Sequence, residues 1–219
     1  MPRNKYPEET VQKILDVSLK LFLEKGYEET TVLDIVNNLG GLTRGAFYHH
    51  FKSKEEVLDA LSDQLFFENN PFDIVRNDQS LNGLQKLKKV FKIQFRDQEQ
   101  QELNIMAAPL AKNPRILAEY IANGQNVLAP FFEELFREAL KDGSIKNMKY
   151  PKAFSSLFTM IIDVWFVPTI FPCSKDELIE KLYLIRDMCD TLGVPVIDDE
   201  ILQLARYKIE RVMELVEKE

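Results

Sequence analysis

Hydrophobic positions in this chain return every three or four residues almost from its start. Val11, Ile14, Leu15, Ser18, Leu21 and Phe22 fall on one stripe at helical period, opened by Pro7 with Glu8 and Glu9 and closed by Gly26. That spacing predicts a first helix of about five turns. Thr31 and Asp34 form a capping box ahead of Val32, Ile35, Val36 and Leu39, a short second helix that Gly40-Gly41 ends. Thr43 is placed to cap a third helix from Arg44 to Phe51, and Ser53 a fourth with Val57, Leu58, Leu61 and Leu65 on its inner face. The polar, proline-containing stretch NNPFDIVRNDQS that follows reads as a connection. Further helices are expected at 81–97, 100–111, 114–141, 151–170, 174–192 and 198–217. Asn113-Pro114, Gly143, the Ser174/Glu177 capping box and Gly193 with Pro195 mark several of their ends, and Pro130 should kink or split the long one. With no convincing alternating run, internal repeat or low-complexity tract, the expected fold class is all-α.

Composition adds that the protein is globular: 45% of its 219 residues are hydrophobic and 29% charged. The longest mostly apolar run, Phe154 to Phe171, is crossed by Ser155, Ser156, Thr159 and Asp163 and contains Pro168, so no membrane span is expected. The opening MPRNKYPEET lacks the apolar core of a secretory signal, which points to the cytoplasm. Cys173 and Cys189 have neither C-x-x-C nor zinc spacing and are expected as free thiols. The net charge is −7, but it is unevenly shared. Residues 1–54 hold eight Lys/Arg and seven Asp/Glu, a net of +1, leaving −8 on the remaining 165. A local field decides polyanion binding, so an acidic body can carry a small DNA-reading head. The split suggests a head at residues 1–53 and a larger helical body at 54–219.

The head holds the candidate chemistry. Two helices joined by a glycine turn, the second short and beginning T-R-G-A, make a helix-turn-helix whose second helix would enter the DNA major groove by its N-terminal end. Arg44, Gly45, Tyr48 and His49 lie on one helical strip, while Phe47 points the other way. Arg44 can offer two donors to a guanine edge, and Gly45 has no side chain to hold the helix off the bases. Tyr48 and Lys54 can reach phosphates.

The stretch from Ile14-Leu15 through Gly26-Tyr27, Thr30-Thr31-Val32, Ile35, Leu39-Gly40, Thr43-Arg44-Gly45-Ala46-Phe47-Tyr48-His49-His50-Phe51 and Lys54-Glu55 resembles the N-terminal domain of TetR-family transcriptional regulators. The resemblance covers about residues 8–60. It implies a dimeric, all-α, usually repressing regulator that binds double-stranded operator DNA and whose C-terminal domain takes a small effector. On matching positions, Thr31 and Tyr48 resemble phosphate contacts, Arg44, Gly45 and His49 groove-facing residues, and Lys54 the backbone contact that opens the fourth helix. Thr43 caps the reading helix beside them, and Lys52 is a further candidate. Gly40-Gly41-Leu42-Thr43 makes the turn one residue longer than the usual pattern.

Other readings compete. Adjacent histidines on a helix point about 100° apart and there is no third, so His49 and His50 argue against a metal site, and no cofactor is expected. No nucleophile elbow, P-loop, dinucleotide fingerprint or zinc spacing suggests an enzyme. An adaptor that keeps the fold and recruits another protein is the alternative to a DNA-binding regulator. In the body, KAFSSLFTMIIDVWFVPTIF is apolar almost all round, which suits a helix buried on two sides, either with a second copy on one of them or as the central helix of a monomer; with residues 178–192 it would build the symmetric homodimer interface that the resemblance implies. Phe91, Phe95, Met106, Tyr120, Phe158 and Trp165 would suit an apolar effector cavity, with Gln125 or Asp163 as polar anchor, although such stripes also build ordinary cores.

Overall fold

Each short stripe of apolar residues found a partner in the computed structural model, which describes residues 7–67, 72–98, 104 and 107–216. The chain forms two compact units, Met1–Asn69 and Asn70–Glu219. No strand occurs among the described residues.

The first unit holds α1 (Pro7–Lys25), α2 (Val32–Asn38), α3 (Arg44–His50) and α4 (Lys54–Phe67). Its local signals act as the sequence suggests. Thr31 and Asp34 cap α2 reciprocally, Thr43 Oγ accepts the Ala46 amide at 3.2 Å, and Ser53 Oγ accepts the Glu56 amide at 3.3 Å. Gly26, Gly40 and Gly41 take φ of +89°, +58° and +98°, left-handed values that favour glycine. Two of them in succession accommodate the lengthened α2–α3 turn. Ile14, Phe22, Ile35, Leu39 and Phe47 are at most 2% exposed and form the centre of this unit. Val57, Leu58 and Leu61 of α4 are buried to the same degree, so the unit extends through α4, past the boundary expected at 53/54. Leu65 has no described side chain. A further fastening joins α4 to the α1–α2 loop. Lys54 Nζ donates to the carbonyls of Tyr27, Glu28 and Thr30 at 2.8, 3.0 and 3.1 Å and lies 4.5 Å from the centre of the Tyr27 ring.

The second unit holds α5 (Phe72–Arg76), α6 (Gly83–Arg96), α7 (Pro114–Asn123), α8 (Ala129–Asp142), α9 (Pro151–Met160), α10 (Lys175–Thr191) and α11 (Asp199–Val216). Helix α5 corrects the reading of that segment as plain connection: Phe72 leaves the polar run to stack on Phe131 at 4.0 Å. Of the helix expected at 100–111, the described residues show a 3-10 turn, Ala108–Lys112. Phe91, Phe132, Phe136, Phe154 and Phe158 share ring contacts at 5.3 to 6.3 Å and form the core between α6, α8 and α9.

Both long apolar helices widen where a proline follows. Between α7 and α8 the residues Gly124–Leu128 form a π turn, with the Ala129 amide bonded to Gly124 O, just ahead of Pro130. After α9, Ile161–Trp165 do the same, with Phe166 N to Ile161 O at 3.0 Å, ahead of Pro168. Proline offers no amide hydrogen, so the i→i−4 ladder is interrupted and the preceding turn expands. The helix expected over 151–170 therefore ends as regular α at Met160.

Gly83 opens α6 where it crosses α8. A Cβ on it would lie 2.3 Å from Ala139 N, and its own amide donates to Asp142 Oδ2 at 2.7 Å. Gly83→Ala must push the two backbones apart and should cost about 3 kcal/mol, read as a lower urea midpoint; an unchanged midpoint would mean that the crossing is not tight. In the first unit, Lys54→Met keeps the stem but leaves three carbonyls without their charged donor. A loss of about 2 kcal/mol should appear as faster amide hydrogen exchange at residues 27–39, and unaltered exchange there would show that the fastening bears no load.

Candidate nucleic-acid interface

Helix α3 is seven residues long, and Phe47, at 0% exposure, is its one buried side chain. With Phe47 turned inward, the opposite face presents Arg44, Gly45, Tyr48 and His49 to solvent, and Tyr48 is 43% exposed. The Arg44 guanidinium carbon lies 5.5 Å from the centre of the Tyr48 ring, a stacking that limits its rotamers while leaving its edge donors free to point outward. Thr43 stands exposed at the N-cap; its oxygen accepts from Ala46, leaving its hydroxyl hydrogen for an outside acceptor. Residues 40–54 contain Arg44, Lys52 and Lys54 and no acidic residue.

Three of the candidate contacts are engaged within the unit. Thr31 Oγ1 donates to Asp34 Oδ2 at 2.7 Å and accepts from the Asp34 amide at 3.1 Å. Asp34 also takes Lys25 Nζ at 2.8 Å, and chiefly that bond, with those from Thr31, holds its carboxyl far below the ordinary range. Lys52 is bracketed by Glu56: its ammonium lies 3.7 Å from Glu56 Oε1 and its amide donates to Oε2 at 2.7 Å. Lys54 is the clearest departure from expectation. With its ammonium on three carbonyls, it serves as a fastening, and the reading as a side-chain phosphate contact gives way to one in which it positions the start of α4. His50 is partly buried beside His49, ring centres 5.1 Å apart, and desolvation, followed by the His49 charge, lowers its pKa. Among the described residues no group of three His, Cys, Asp or Glu is arranged to hold a metal ion.

The residues expected to face an effector divide. Phe91 (8% exposed) and Phe158 (1%) belong to the phenylalanine core. Gln125 is engaged with Ser156, donating to its carbonyl at 3.2 Å and bonded to its hydroxyl. Trp165 lies under Lys181, whose Nζ is 5.0 Å from the indole centre, and Met106 lies outside the described residues. Asp163 and Tyr120 remain together: burial, then the Asp163 charge, pushes the Tyr120 hydroxyl up, while burial pushes Asp163 up to about 7 against the pull of Lys208. Phe95, half-buried, lies 5.5 Å from Lys208 Nζ. Lys208 had no signal in the sequence, since nothing local to α11 tells that it shares surroundings with residues 45 or more positions earlier.

The sequence profile of the bacterial regulatory proteins, tetR family, matches residues 14–61, the span from α1 into α4. The HTH-type transcriptional repressor KstR2 of Mycobacterium tuberculosis is 31% identical over 140 residues, 60% of this chain and 66% of that protein. This chain thus spans just under two thirds of that relative. The HTH-type transcriptional regulator SrpR of Pseudomonas putida is 46% identical over 54 residues, 25% of each chain. Among solved structures, the SmeT–triclosan complex superposes with a TM-score of 0.61 at 20% identity, covering 95% of this chain and 91% of that one. A transcriptional regulator of the TetR/AcrR family from Thermobifida fusca gives 0.56 at 20% identity, over 81% and 97%. At such identities these two speak for the fold alone. The capped helix-turn-helix, the profile match across it and the relatives that share it make residues 14–61 similar to the tetR family of bacterial regulatory proteins.

Proposed function

We propose that the protein is a sequence-specific DNA-binding transcriptional regulator, a homodimeric repressor that reads an inverted-repeat operator and responds to a small effector bound by its second unit. One observation carries the DNA-binding part: a short helix, capped by Thr43 and anchored by Phe47, turns Arg44, Gly45, Tyr48 and His49 outward on a face without acidic residues. Thr31, Thr43, Tyr48 and Lys52 border that face as phosphate-contact candidates, with the amides that open α4 joining them in place of the Lys54 side chain. KstR2 is named a transcriptional repressor, which supports the sign of the regulation. The complex of SmeT with triclosan supports a small-molecule effector. For the dimer, Leu157 of α9 and Leu184 of α10 are each 50% exposed and Leu192, just past α10, 44%. Apolar side chains on the two segments expected to meet a second copy are thus uncovered in the single chain. No helix among the described residues is long and apolar enough to cross a membrane.

Selecting bound duplexes from a random DNA pool tests the reading directly. A two-fold protein should recover an inverted repeat, with half-site centres about one helical turn apart or somewhat more, and light scattering should give the mass of a dimer. A single unrepeated half-site together with a monomer mass would overturn the homodimer. Arg44→Ala should weaken binding to the recovered site by about 1–3 kcal/mol per half-site and relax preference at one base position. If consensus and affinity both survived that change, another residue would have to be the reader.

A further inference from the structure

A base reader works best when it is held still before it meets its base, and Arg44 stands where holding is hard. It is the first residue of α3, so its side chain has no earlier helical turn to lie against. Gly45 beside it is the residue type with the most backbone freedom. Residues 40–54 contain no carboxylate to pair with it. A free arginine side chain spreads over many rotamers, few of which aim its donors at one base.

The Tyr48 ring supplies the restraint. Side chains of a helix lean toward its N-terminus, so Tyr48 lies back over the turn that begins with Arg44. Its ring centre is 5.5 Å from the guanidinium carbon, and the contact bridges Gly45. The ring is itself held from inside, meeting Phe47 edge-on at 5.4 Å with the planes 86° apart, and Phe47 is wholly buried. A chain of contacts thus runs from the core through Phe47 and Tyr48 to Arg44. A guanidinium resting on a ring keeps the N–H groups along its edge for another partner. Tyr48 is 43% exposed, which leaves its hydroxyl for a phosphate outside. Ring and hydroxyl are therefore available for separate work. Beyond its own backbone, a Cβ on Gly45 would meet nothing closer than Thr43 Oγ1 at 3.7 Å, so the packing of the protein does not itself require a glycine under this stack.

Resting on the DNA-binding reading above, we infer that Tyr48 is a specificity-determining positioning residue, whose ring holds Arg44 ready for a base edge while its hydroxyl makes a phosphate contact common to all sequences. Tyr48 then sets base preference through Arg44 and overall affinity through its own oxygen. An exposed cation on a ring is worth a factor of about two to five. The preference at the base position read by Arg44 depends on the ring by that factor in each half-site.

The test takes the duplex recovered from the random pool, together with versions of it changed at one base position at a time, and measures the affinity of the full-length protein for each. Arg44→Ala marks the position that Arg44 reads. Tyr48→Phe keeps the ring and should weaken every duplex alike, leaving the preference at that position intact. Tyr48→Leu keeps the bulk without a ring face and should lower the preference there about two- to fivefold per half-site. No other position should change its preference in Tyr48→Leu, whereas a general loosening of α3 would relax several. Equal midpoints of thermal unfolding verify that the variants fold, with Tyr48→Met in place of Tyr48→Leu if it does not. The inference is overturned if Arg44→Ala relaxes no position, if Tyr48→Leu leaves the marked position as it was or relaxes others equally, or if Tyr48→Phe relaxes it as much. A wild type that selects no duplex refutes the DNA-binding reading itself, whereas a selective wild type whose preference survives Tyr48→Leu refutes only the role given to the ring.

Discussion

A helix of seven residues is too short to hold itself together in water, because the cost of nucleating it is repaid only over several further turns. Helix α3 therefore owes its existence to its neighbours, and above all to Phe47. That ring is wholly buried, meets Phe51 at 6.2 Å and lies edge-on to Tyr48 at 5.4 Å. Through the 100° step of the helix it fixes where every other side chain of α3 points. The caps at Thr31, Thr43 and Ser53 and the two left-handed glycines of the turn then only have to set the ends of elements whose rotation Phe47 has already chosen. The Lys54 fastening closes the arrangement, binding the start of α4 to the carbonyls of the α1–α2 loop that α1 leaves behind.

Much of this was legible in the chain, for a reason that can be stated residue by residue. Ile14, Phe22, Ile35 and Leu39 recur at a period that only a helix satisfies, and Thr31, Thr43, Ser53, Asn113 and Ser174 act on amides two or three positions ahead, so their effect is local. The outward strip on α3 follows from the same arithmetic. Illegible were the features that join distant residues. Lys54 looks like any solvated lysine until residues 27, 28 and 30 are seen to bring three carbonyls to it. Phe72 sits in a run of Asn, Asp and Pro whose composition says loop, and only Phe131, far along the chain, makes it part of a helix. Gln125 and Phe158 had the composition of a pocket wall but were taken up by Ser156 and by the phenylalanine cluster.

The prolines show how one missing hydrogen shapes the second unit. Pro130 was expected to kink or split its helix, and Pro168 to lie within the helix expected over 151–170. The chain instead absorbs Pro130 by inserting a wide turn just before it, so that the helix continues as α8, whereas the wide turn ahead of Pro168 is the last of its helix. With Gly124 at the start of one wide turn and Asp163 in the middle of the other, the two irregularities come to face each other. A regular helix in either place would have aimed that carboxylate elsewhere.

The two cysteines differ in a way that has a practical side. Cys189 is 1% exposed, and burial pushes its thiol up to about 12, which leaves almost no thiolate for reaction near neutrality. Cys173 is only half-buried, ahead of α10 and with Lys181 Nζ 3.6 Å from its sulfur. Toward an alkylating reagent the natural chain thus behaves as though it had a single thiol. A dye or spin label can be attached at one known place, beside the sole tryptophan's own lysine neighbour, with no residue of the protein changed.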